Sequence, residues 1–600
     1  MYKQLENLET FSTLDIRFAS LMRELGDDSP ETTLAAALVC KQSREGNVCL
    51  DIGSVAGSEL VDEQGEVELL CPDKDTWWNV LSASPLVGSP GEYAPLVFEK
   101  QAGRLYLHRY FEHENDVAGI LYAMATSSPQ NIPGALLQKD LDTLFGSDMS
   151  PNWQKVAAAT AAVRRLSVIS GGPGTGKTTT VAKILALLVK QHPEWTIRLA
   201  APTGKAAARL QESVNLALHQ LNWPDEYIQK IPRDVHTIHR LLGAVLNTNK
   251  YRYNSKNKLP ADLVVVDEAS MVDLPLMAAL LRALRPSAHL ILLGDKDQLA
   301  SVEAGAVLGD ICGRTEPNSF TREQKDFFRE CLHTEISGTD ATSPFADCVV
   351  QLEHVYRFPE ESGINKAAKA VKAGKGKELL SYLQEEKYRE VNWLQLSSPG
   401  QLAELVNAYS LPQARRLLDS DNAEEALAKF KGFRLLSPLR RGPFGVQGLN
   451  SLTENLLREQ GTISTPGPWY KGRPIMVTCN DYRLGLANGD TGVVWPGENG
   501  LEAVFGSQET GSFRLPLLRL PSLETVFALT VHKSQGTEFN DLLLVLPPKD
   551  SPVLTRELIY TAITRARQSI TIAGTPEVLK QAVQRPTSRT SGLEEKLWEK

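Results

Sequence analysis

The sequence predicts an α/β fold in which two parallel-sheet units follow one another, and three observations support this prediction. From about residue 150 onward, short apolar runs alternate with alanine-rich helical stretches. Each run ends in a Gly, Asp or Thr loop, which is typical of a parallel strand buried on both faces. The pattern occurs twice, with runs at 166–170, 197–201, 263–267 and 290–294 in the first set and at 433–438, 542–546 and 569–573 in the second.

Length and composition are those of a large globular protein. The 600 residues suffice for three to four domains of about 150 residues, and 42% hydrophobic with 23% charged residues argues against a disordered or fibrous chain. The richest apolar run, 181–189, contains Lys183 and is shorter than the roughly 18 residues of a membrane span. The N-terminal residues include Glu6, Glu9 and Asp15 and lack the apolar core of a signal peptide. We therefore predict a cytoplasmic protein with no membrane partner.

The charge balance excludes one way of binding nucleic acid. With 64 basic and 72 acidic residues, the net charge is −8, so the protein does not coat DNA by bulk positive charge. A local basic channel remains compatible with this balance because phosphate contacts need only a few Lys or Arg. The 7 cysteines lack C-x-x-C spacing, which indicates reduced thiols rather than a zinc or iron–sulfur site.

The N-terminal part has no recognisable catalytic motif. Residues 1–140 are interpreted as an accessory α/β domain that docks a protein partner. Residues 14–25 and 32–39 are typical of helices, and the alternation over 96–110 about Gly103 indicates a hairpin.

The two parallel-sheet units occupy the remainder of the chain. The first is predicted at 141–350 with a small insertion near 245–260, and the second at 351–600. Short apolar alternations and many glycines near 466–522 indicate a small β-barrel inserted in the second unit. Residues 316–343 are polar without a clear period and are predicted to be a loop or an irregular helix.

A phosphate-binding loop is the strongest motif. Residues 171–178 read Gly-Gly-Pro-Gly-Thr-Gly-Lys-Thr, follow a predicted strand and open a predicted helix. Gly174 and Gly176 let the backbone close around phosphate oxygens, and the helix N-terminus adds positive potential. Lys177 is expected to reach the β- and γ-phosphates, and the Thr178 hydroxyl is expected to ligate Mg²⁺. The sequence therefore predicts ATP and Mg²⁺ as cofactors.

Acidic and amide residues follow two later strands. In Val-Val-Val-Asp-Glu-Ala-Ser, Asp267 would hold the water around Mg²⁺, and Glu268 would polarise the attacking water. Gln298, in Gly-Asp-Lys-Asp-Gln-Leu, is interpreted either as a sensor of the γ-phosphate or as part of a polar loop.

In this order the motifs resemble those of superfamily 1 helicases, which implies two tandem RecA-like P-loop motor domains with a small SH3-like barrel insertion. In this resemblance Gln154 reads adenine, Arg357 reaches ATP from the second motor domain, and Arg565 is an arginine finger. The further matching segments are Asn-Trp-Gln at 152–154, Ala-Pro-Thr-Gly-Lys-Ala-Ala at 201–207, Thr-Ile-His-Arg at 237–240, Tyr-Arg at 356–357, Thr-Val-His-Lys-Ser-Gln-Gly-Thr-Glu at 530–538 and Tyr-Thr-Ala-Ile-Thr-Arg-Ala-Arg at 560–567.

Several details are similar to the RecD family, the helicase subunits of the bacterial exodeoxyribonuclease V complex, RecBCD. They are the particular residues in the motifs at 171–180, 266–271, 294–302 and 532–539, together with the segment Arg-Gly-Pro-Phe-Gly-Val-Gln-Gly-Leu-Asn at 441–450. The resemblance implies an ATP-driven single-stranded-DNA translocase and 5′→3′ helicase that acts on duplex DNA ends. It also implies a heterotrimer with RecB-like and RecC-like subunits, which functions in double-strand break repair by homologous recombination and in DNA degradation. The nuclease centre would lie in the RecB-like subunit.

The predicted site residues fall into four sets. The predicted catalytic residues are Lys177, Asp267, Glu268, Gln298, Arg357 and Arg565, and the metal ligands are Thr178 and Asp267. The predicted ATP-binding residues are Gln154, Gly171, Gly172, Pro173, Gly174, Thr175, Gly176, Lys177, Thr178, Thr179, Gly536 and Glu538. The predicted DNA-binding residues are Thr203, Lys205, Thr237, His239, Arg240, Thr530 and His532.

Some individual roles have alternatives. His239 either contacts DNA or has a core or capping role, and Lys533 either touches DNA or fixes its loop. The basic segment 247–258, with Tyr251 and Tyr253, either stacks bases and splits a duplex or is a solvated loop.

Three other functions compete with the helicase subunit. A stand-alone RecD-like 5′→3′ helicase would purify without two large partners. An ATP-regulated DNA-binding scaffold would not need the complete set of catalytic residues. A P-loop kinase or transporter ATPase would not be expected to carry His-Lys-Ser-Gln-Gly and Thr-Arg-Ala.

Overall fold

The computed structural model describes residues 8–599 except 9, 62–66, 131, 148–150, 246–247, 249, 314–315, 465–466, 482, 499 and 508–510.

The N-terminal part is an α/β domain built on a mixed sheet. Its elements are α1 (Thr13–Glu24), α2 (Pro30–Arg44), β1 (Cys49–Asp51), α3 (Ile52–Val55), β2 (Glu59–Val61), β3 (Val67–Leu70), α4 (Lys74–Ala83), β4 (Val87–Gly88), β5 (Leu96–Glu99), β6 (Arg104–Leu107), α5 (His108–Ala125) and α6 (Gly134–Phe145). The sheet order is β1-β6-β5-β4, and β2 pairs separately with β3. The predicted hairpin is confirmed, with Gly103 at φ +66° in its turn, but residues 108–110 begin α5 instead of extending β6.

The first parallel unit alternates strands and helices. Its elements are α7 (Trp153–Val163), β7 (Leu166–Gly171), α8 (Lys177–Gln191), β8 (Ile197–Ala201), α9 (Gly204–Gln220), α10 (Asp225–Ile228), β9 (Val235–Thr237), α11 (Ile238–Leu242), β10 (Leu263–Val266), α12 (Leu274–Ala283), β11 (His289–Gly294), α13 (Val307–Cys312), α14 (Arg322–Leu332) and β12 (Val349–Leu352). The strands pair in parallel in the order β12-β7-β11-β10-β8-β9. The predicted boundary after residue 350 falls inside β12, so this unit extends to Leu352.

Alternation along the strands gives this sheet two apolar faces. On β10, Val264 and Val266 belong to one core, and Leu263 and Val265 belong to another. The first core includes Val117 of α5, and the second includes Leu141 of α6. Helices α5 and α6 therefore cover the first parallel sheet, although they lie inside the segment predicted as the N-terminal domain.

The second parallel unit repeats this architecture and carries an insertion. Its elements are α15 (Gly363–Lys372), α16 (Gly376–Gln384), β13 (Val391–Gln395), α17 (Pro399–Leu405), α18 (Leu411–Leu418), α19 (Ala423–Phe430), β14 (Phe433–Ser437), α20 (Val446–Glu459), β15 (Pro474–Val477), β16 (Thr491–Gly497), β17 (Gly500–Ser507), β18 (Gly511–Pro516), β19 (Leu523–Thr525), β20 (Ala528–Thr530), β21 (Phe539–Val545), α21 (Arg556–Ile563), β22 (Ala566–Gly574), α22 (Pro576–Gln584) and α23 (Leu593–Trp598). Its parallel strands follow the order β13-β22-β21-β14-β20.

The insertion is a five-stranded antiparallel sheet in the order β18-β17-β16-β15-β19. It has its own small core, which includes Ile475, Val494 and Phe505. The described pairings end at β18 on one side and β19 on the other, so the closed SH3-like barrel stays a prediction.

The last residues leave the second unit, which was predicted to run to residue 600. After α22 the chain returns across the molecule, and α23 packs against α5 and α13. Leu593 and Leu597 are fully buried in the core of the first unit, so an apolar helix face fixes this return path.

Three further predictions can be compared with the structure. The polar segment 316–343 contains a regular helix, α14, whose core position Gln324 accepts a 2.7 Å hydrogen bond from buried Arg164; this polar core residue interrupts the apolar period. All 7 cysteines are free thiols and 6 are buried, as predicted. Among the described helices, none is both long enough and apolar enough to cross a membrane.

Candidate nucleotide and nucleic-acid site

The phosphate loop lies where β7 ends and α8 begins. Gly174 and Gly176 have φ of +82° and +80°, a left-handed conformation that L side chains rarely adopt. A Cβ at Gly174 would lie 2.5 Å from Cβ of Arg357, and one at Gly176 would lie 2.5 Å from Nε2 of Gln154. Both glycines are thus required by conformation and by close neighbours. The loop leaves the first N–H groups of α8 facing the cleft.

The loop lysine is bound to the loop itself. Lys177 Nζ donates to the carbonyl oxygens of Gly171 (2.5 Å) and Gly172 (3.1 Å). Thr175 Oγ1 also donates to Gly172 O, at 2.8 Å. Thr178 lines the same cleft as Lys177. The acceptors of the ammonium group are therefore neutral carbonyl oxygens. A phosphate group would offer it a charged and stronger acceptor in their place.

Two carboxylates follow β10 at the floor of the cleft. Burial, and then the charge of Glu268, raise the pKa of Asp267 to about 6, while Lys177 opposes this rise. Glu268 has φ +52° and donates its N–H to Asp267 Oδ1 at 2.8 Å. A non-glycine residue in this conformation costs about 1–3 kcal/mol and is retained mostly at functional sites.

An arginine of the second unit reaches the neighbouring strand end. Arg565 is fully buried, and its Nη2 donates to Gln298 Oε1 at 2.6 Å. Gln298 Nε2 donates to Asp295 Oδ2 at 3.0 Å, and the same oxygen accepts from Tyr560 OH at 3.1 Å. Gln298 therefore connects a carboxylate of the first unit to a guanidinium of the second.

Glu538 is surrounded by three arginines. It accepts from Arg357 Nη2 at 2.6 Å, from Arg567 Nε at 2.9 Å and from Arg209 Nη2. Burial alone would raise the pKa of Glu538, but the charges of Arg209 and Arg357 outweigh it and lower that pKa to about 2. The carboxylate is therefore ionised at neutral pH and joins both units across the cleft.

These groups line one cleft of about 320 Å³ between the two parallel units. The cleft brings together all six residues predicted as catalytic, and also the predicted metal ligands. The lining residues from the predicted sets are Pro173, Gly174, Gly176, Lys177, Thr178, Thr179, Asp267, Glu268, Gln298, Arg357, Glu538 and Arg565.

A second pocket opens beside the phosphate loop. It has a volume of about 240 Å³ and is lined in part by Asn152, Gln154 and Tyr356. Gln154 Nε2 donates to Thr175 O at 3.1 Å, and the Tyr356 N–H donates to Gly174 O at 2.8 Å. The Tyr356 side chain is 60% exposed, and its ring centroid lies 4.3 Å from that of His354.

The predicted DNA-binding threonines all have local hydrogen bonds. Thr203 Oγ1 accepts from Ala206 N at the start of α9, and Thr237 Oγ1 accepts from Arg240 N at the start of α11. Thr530 Oγ1 accepts from Lys533 N. Each hydroxyl is thus a cap or turn former that retains its proton as a donor.

The predicted basic residues differ in exposure. His239 and Arg240 are exposed, whereas His532 is half-buried. Lys205 faces the second unit, where burial and Arg434 lower its pKa to about 8.

Two tyrosines of the basic segment pack inward. Tyr251 and Tyr253 are partly buried against the core of the first unit, and the Tyr251 ring centroid lies 6.1 Å from that of His239.

Arg209, Arg567 and Tyr560 belong to the site but were missed in the sequence. Arg567 and Tyr560 stand inside the Tyr-Thr-Ala-Ile-Thr-Arg-Ala-Arg segment, so the motif itself could have indicated them. Arg209 lies one turn and a half after Thr203 on α9, and only the contact with Glu538 distinguishes it from other helix arginines.

Comparison with known families identifies three parts of the chain. An AAA domain family matches residues 154–304, and the RecBCD enzyme subunit RecD N-terminal domain matches 7–106. A UvrD-like helicase C-terminal domain matches 525–573. The fold and the site thus define the class: a two-unit P-loop ATPase of the helicase type.

Full-length relatives identify the family. The RecBCD enzyme subunit RecD of Mycolicibacterium smegmatis is 39% identical, over 98% of this chain and 99% of that protein. The subunit of the same name from Haemophilus influenzae is 36% identical, over 84% and 81%. The ATP-dependent RecD2 DNA helicase of Deinococcus radiodurans is 29% identical, over 82% and 58%. The chain belongs to the RecD family of helicases.

Proposed function

We propose that the chain hydrolyses ATP in the cleft between its two parallel units and uses this cycle to move along single-stranded DNA. The observation that carries the proposal is that charged groups of both units line the same cleft. The phosphate loop and Asp267 lie on the first unit, and Arg565 of the second unit lines the same cleft and binds Gln298. Phosphoryl transfer depends mainly on positioning and charge neutralisation, which such an arrangement supplies.

The position of each catalytic residue indicates its proposed role. Lys177 exchanges its loop carbonyls for the β- and γ-phosphates, Glu268 orients the attacking water, and Gln298 senses the γ-phosphate. Arg565 and Arg357 neutralise charge that develops in the transition state. Gln154 and the exposed Tyr356 ring hold the adenine, while Gly536 and Glu538 complete the site from the second unit.

The residues at the cleft floor fit Mg²⁺. Thr178 offers a hydroxyl and Asp267 a buried carboxylate, which are hard oxygen donors of the kind that Mg²⁺ prefers. Within the described residues, no group of three or more His, Cys, Asp and Glu could hold a metal ion. The ion would therefore depend on nucleotide phosphates and water for its other ligands, and it would neutralise phosphate charge.

DNA would lie across both units. His239 and Arg240 present exposed polar groups on the first unit, and the half-buried His532 lies on the second, while Thr203, Lys205, Thr237 and Thr530 complete the proposed surface. Such contacts read phosphate and base faces rather than sequence. Membership of the RecD family supports a 5′→3′ direction, duplex DNA ends as substrate and a place in double-strand break repair.

The experiment measures ATP hydrolysis with and without single-stranded DNA, and unwinding of duplexes with a 5′ or a 3′ tail. We expect DNA-stimulated hydrolysis with little base preference and a marked fall at high salt, because counterion release dominates such binding. Unwinding of the 5′-tailed duplex only would support the direction. Salt-independent binding, or ATP binding without any unwinding or translocation, would favour a DNA-binding scaffold.

We further propose that the N-terminal domain docks a RecC-like subunit in a complex that also contains a RecB-like subunit. The supporting observation is that the cleft is built entirely from residues 154–565, so ATP chemistry does not use the mixed sheet. Deleting residues 1–107, which leaves α5 on the first unit, should abolish assembly with partner subunits while DNA-stimulated hydrolysis stays measurable. Assembly at full affinity would place docking on the parallel units, and purification without partners would favour a stand-alone helicase.

A further inference from the structure

The chain end forms a strap, defined here as residues 586–598, that touches three parts of the molecule in succession. Thr587 Oγ1 donates to Glu557 Oε2 of the second unit at 2.5 Å. The Thr590 N–H then donates to Asn47 Oδ1 at 2.7 Å, and the Thr590 carbonyl accepts from Val48 N at 2.8 Å. The strap therefore connects the second unit directly to the N-terminal domain.

The far end of the strap is firmly anchored on the first unit. Glu114 of α5 is fully buried and accepts from Gly592 N and from Lys596 Nζ, both at 2.8 Å. Trp598 Nε1 donates to Asp310 O at 3.2 Å, and its ring packs edge-on against Phe345. Charge-assisted bonds to a buried carboxylate hold this segment in one place.

Arg589, in the middle of the strap, binds one loop of the first unit. Its guanidinium donates to the carbonyl oxygens of Ser301 (2.5 Å), Glu303 (2.6 Å) and Gly305 (3.0 Å). A planar fork of donors suits such a set of acceptors better than an ammonium group. Residues 301–305 are thus gathered around one side chain.

The N-terminal domain closes the same contact from the other side. Gly46 has φ +93°, and its carbonyl accepts from Gly305 N at 3.0 Å. A Cβ at Gly46 would lie 2.9 Å from Cζ of Arg589, so the glycine allows the strap to approach. Loop 301–305 is therefore held between Arg589 and the N-terminal domain.

This loop directly follows the residues that join the two units at the ATP cleft. Gln298 binds Arg565, and the next residue, Leu299, accepts from Gln535 Nε2 and donates its N–H to Thr561 Oγ1, both at 2.9 Å. Gln298 and Leu299 therefore connect the cleft to loop 301–305 along the chain itself.

The other neighbours of the loop are proposed DNA contacts. The Ala304 carbonyl accepts from Leu274 N at 3.1 Å, and helix α12, which begins at Leu274, packs against α11, which carries His239 and Arg240. On the second unit, Gln535, whose side chain binds the Leu299 carbonyl, donates its N–H to His532 O at 3.1 Å. Within the loop, Val302 is 74% exposed. The loop therefore lies between the ATP cleft and the DNA-facing residues of both units.

We propose that Arg589 is a positioning residue that fixes loop 301–305, so that the nucleotide state sensed at Gln298 is transmitted to the DNA-binding surface. The N-terminal domain takes part in this coupling through Gly46 and Asn47. The inference rests on the proposed function, because it concerns how DNA stimulates ATP hydrolysis. The physical basis is a defined, hydrogen-bonded connection between the two sites.

The experiment compares Arg589→Ala with Arg585→Ala in the full chain. Arg585 is a matched control, since its guanidinium also donates to backbone carbonyls, those of Ser551 (2.8 Å) and Leu554 (3.1 Å), but only within the second unit. Arg589→Ala should lower the DNA stimulation of kcat by about tenfold and raise the DNA concentration for half-maximal stimulation. Basal kcat and the KM for ATP should stay within about twofold, as should every parameter of Arg585→Ala.

Two further variants extend the experiment. Arg589→Lys, which keeps the charge but loses the fork, should recover only part of the stimulation, and Asn47→Ala should reduce it less than Arg589→Ala does. If Arg589→Ala does not fold, these two variants provide the same comparison with Arg585→Ala.

Three results would overturn the inference. They are unchanged DNA stimulation in Arg589→Ala, an equal loss of basal and stimulated hydrolysis in that variant, and unchanged stimulation in both Arg589→Lys and Asn47→Ala. A wild-type protein with ATP hydrolysis that DNA does not stimulate would instead refute the proposed function itself.

Discussion

The two parallel units have the same architecture, but they differ in the loops that lead from a strand into the following helix. In the first, β7 leads through a glycine loop into α8, which opens with Lys177-Thr178. In the second, β14 leads through the loop 438–445 into α20, which opens with Val446-Gln447 and follows the exposed pair Arg440-Arg441. A side chain at Gly445 would collide with the Arg441 carbonyl, so this loop is tightly closed on itself. In the proposed function the first unit holds the phosphates and the second supplies Arg357 and Arg565, so catalysis would require the two units to approach each other.

Removing the lysine of the first unit should have the largest effect. Lys177→Gln is expected to abolish ATP hydrolysis, because the charge that compensates the β- and γ-phosphates is lost. Folding should survive, since Lys177 Nζ binds only loop carbonyls. Steady-state ATP hydrolysis and thermal unfolding of the same preparation provide the check. A folded variant with wild-type hydrolysis would show that the phosphate site lies elsewhere.

Removing the arginine of the second unit should separate binding from chemistry. Arg565→Ala should lower kcat by about 10³ or more and leave ATP affinity within about tenfold, because a finger acts on transition-state charge. The comparison needs equilibrium nucleotide binding together with single-turnover hydrolysis. Weaker binding at unchanged turnover would place Arg565 among the binding residues, and the contrast between the units would disappear.

Arg209 tests whether the contrast is complete, since it is an arginine of the first unit. Arg209→Ala should raise the KM for ATP by about tenfold and change kcat by less than about threefold, because its charge lies at the cleft in ground and transition states alike. Arg198→Ala, an exposed arginine on β8 of the same unit, is the matched control. A fall in kcat as large as that of Arg565→Ala would assign transition-state arginines to both units.

The sequence predicted local features well because their causes are local. The strand at 197–201 matches β8 in full, and the strand predicted at 263–267 is β10 plus Asp267, since apolar runs and glycine loops are read from neighbouring residues. The six residues predicted as catalytic meet in one cleft, because each follows a strand or motif of fixed position. Their individual roles stay predictions.

What the sequence did not predict depends on contacts between distant residues. Helix α14 was hidden because a core position is filled by Gln324, whose partner Arg164 lies 160 residues earlier. The path of the strap depends on distant partners: Leu593 and Leu597 pack into the core of the first unit, Glu114 binds Gly592, and Arg589 binds loop 301–305. Arg209 could be assigned to the site only from its contact with Glu538, which lies on the other unit.

The three arginines around Glu538 have a consequence for the empty enzyme. Removing a guanidinium group from water without a counterion costs free energy. Without Glu538, the cleft would contain several guanidinium groups that lack one. Glu538 gives Arg209, Arg357 and Arg567 a counterion, and in the proposed ATP cycle the phosphates would compete with this carboxylate for the same guanidinium groups. When phosphate leaves, the same carboxylate is already in place to receive the arginines. The fold itself therefore supplies the counterion that holds these three cations together at the cleft.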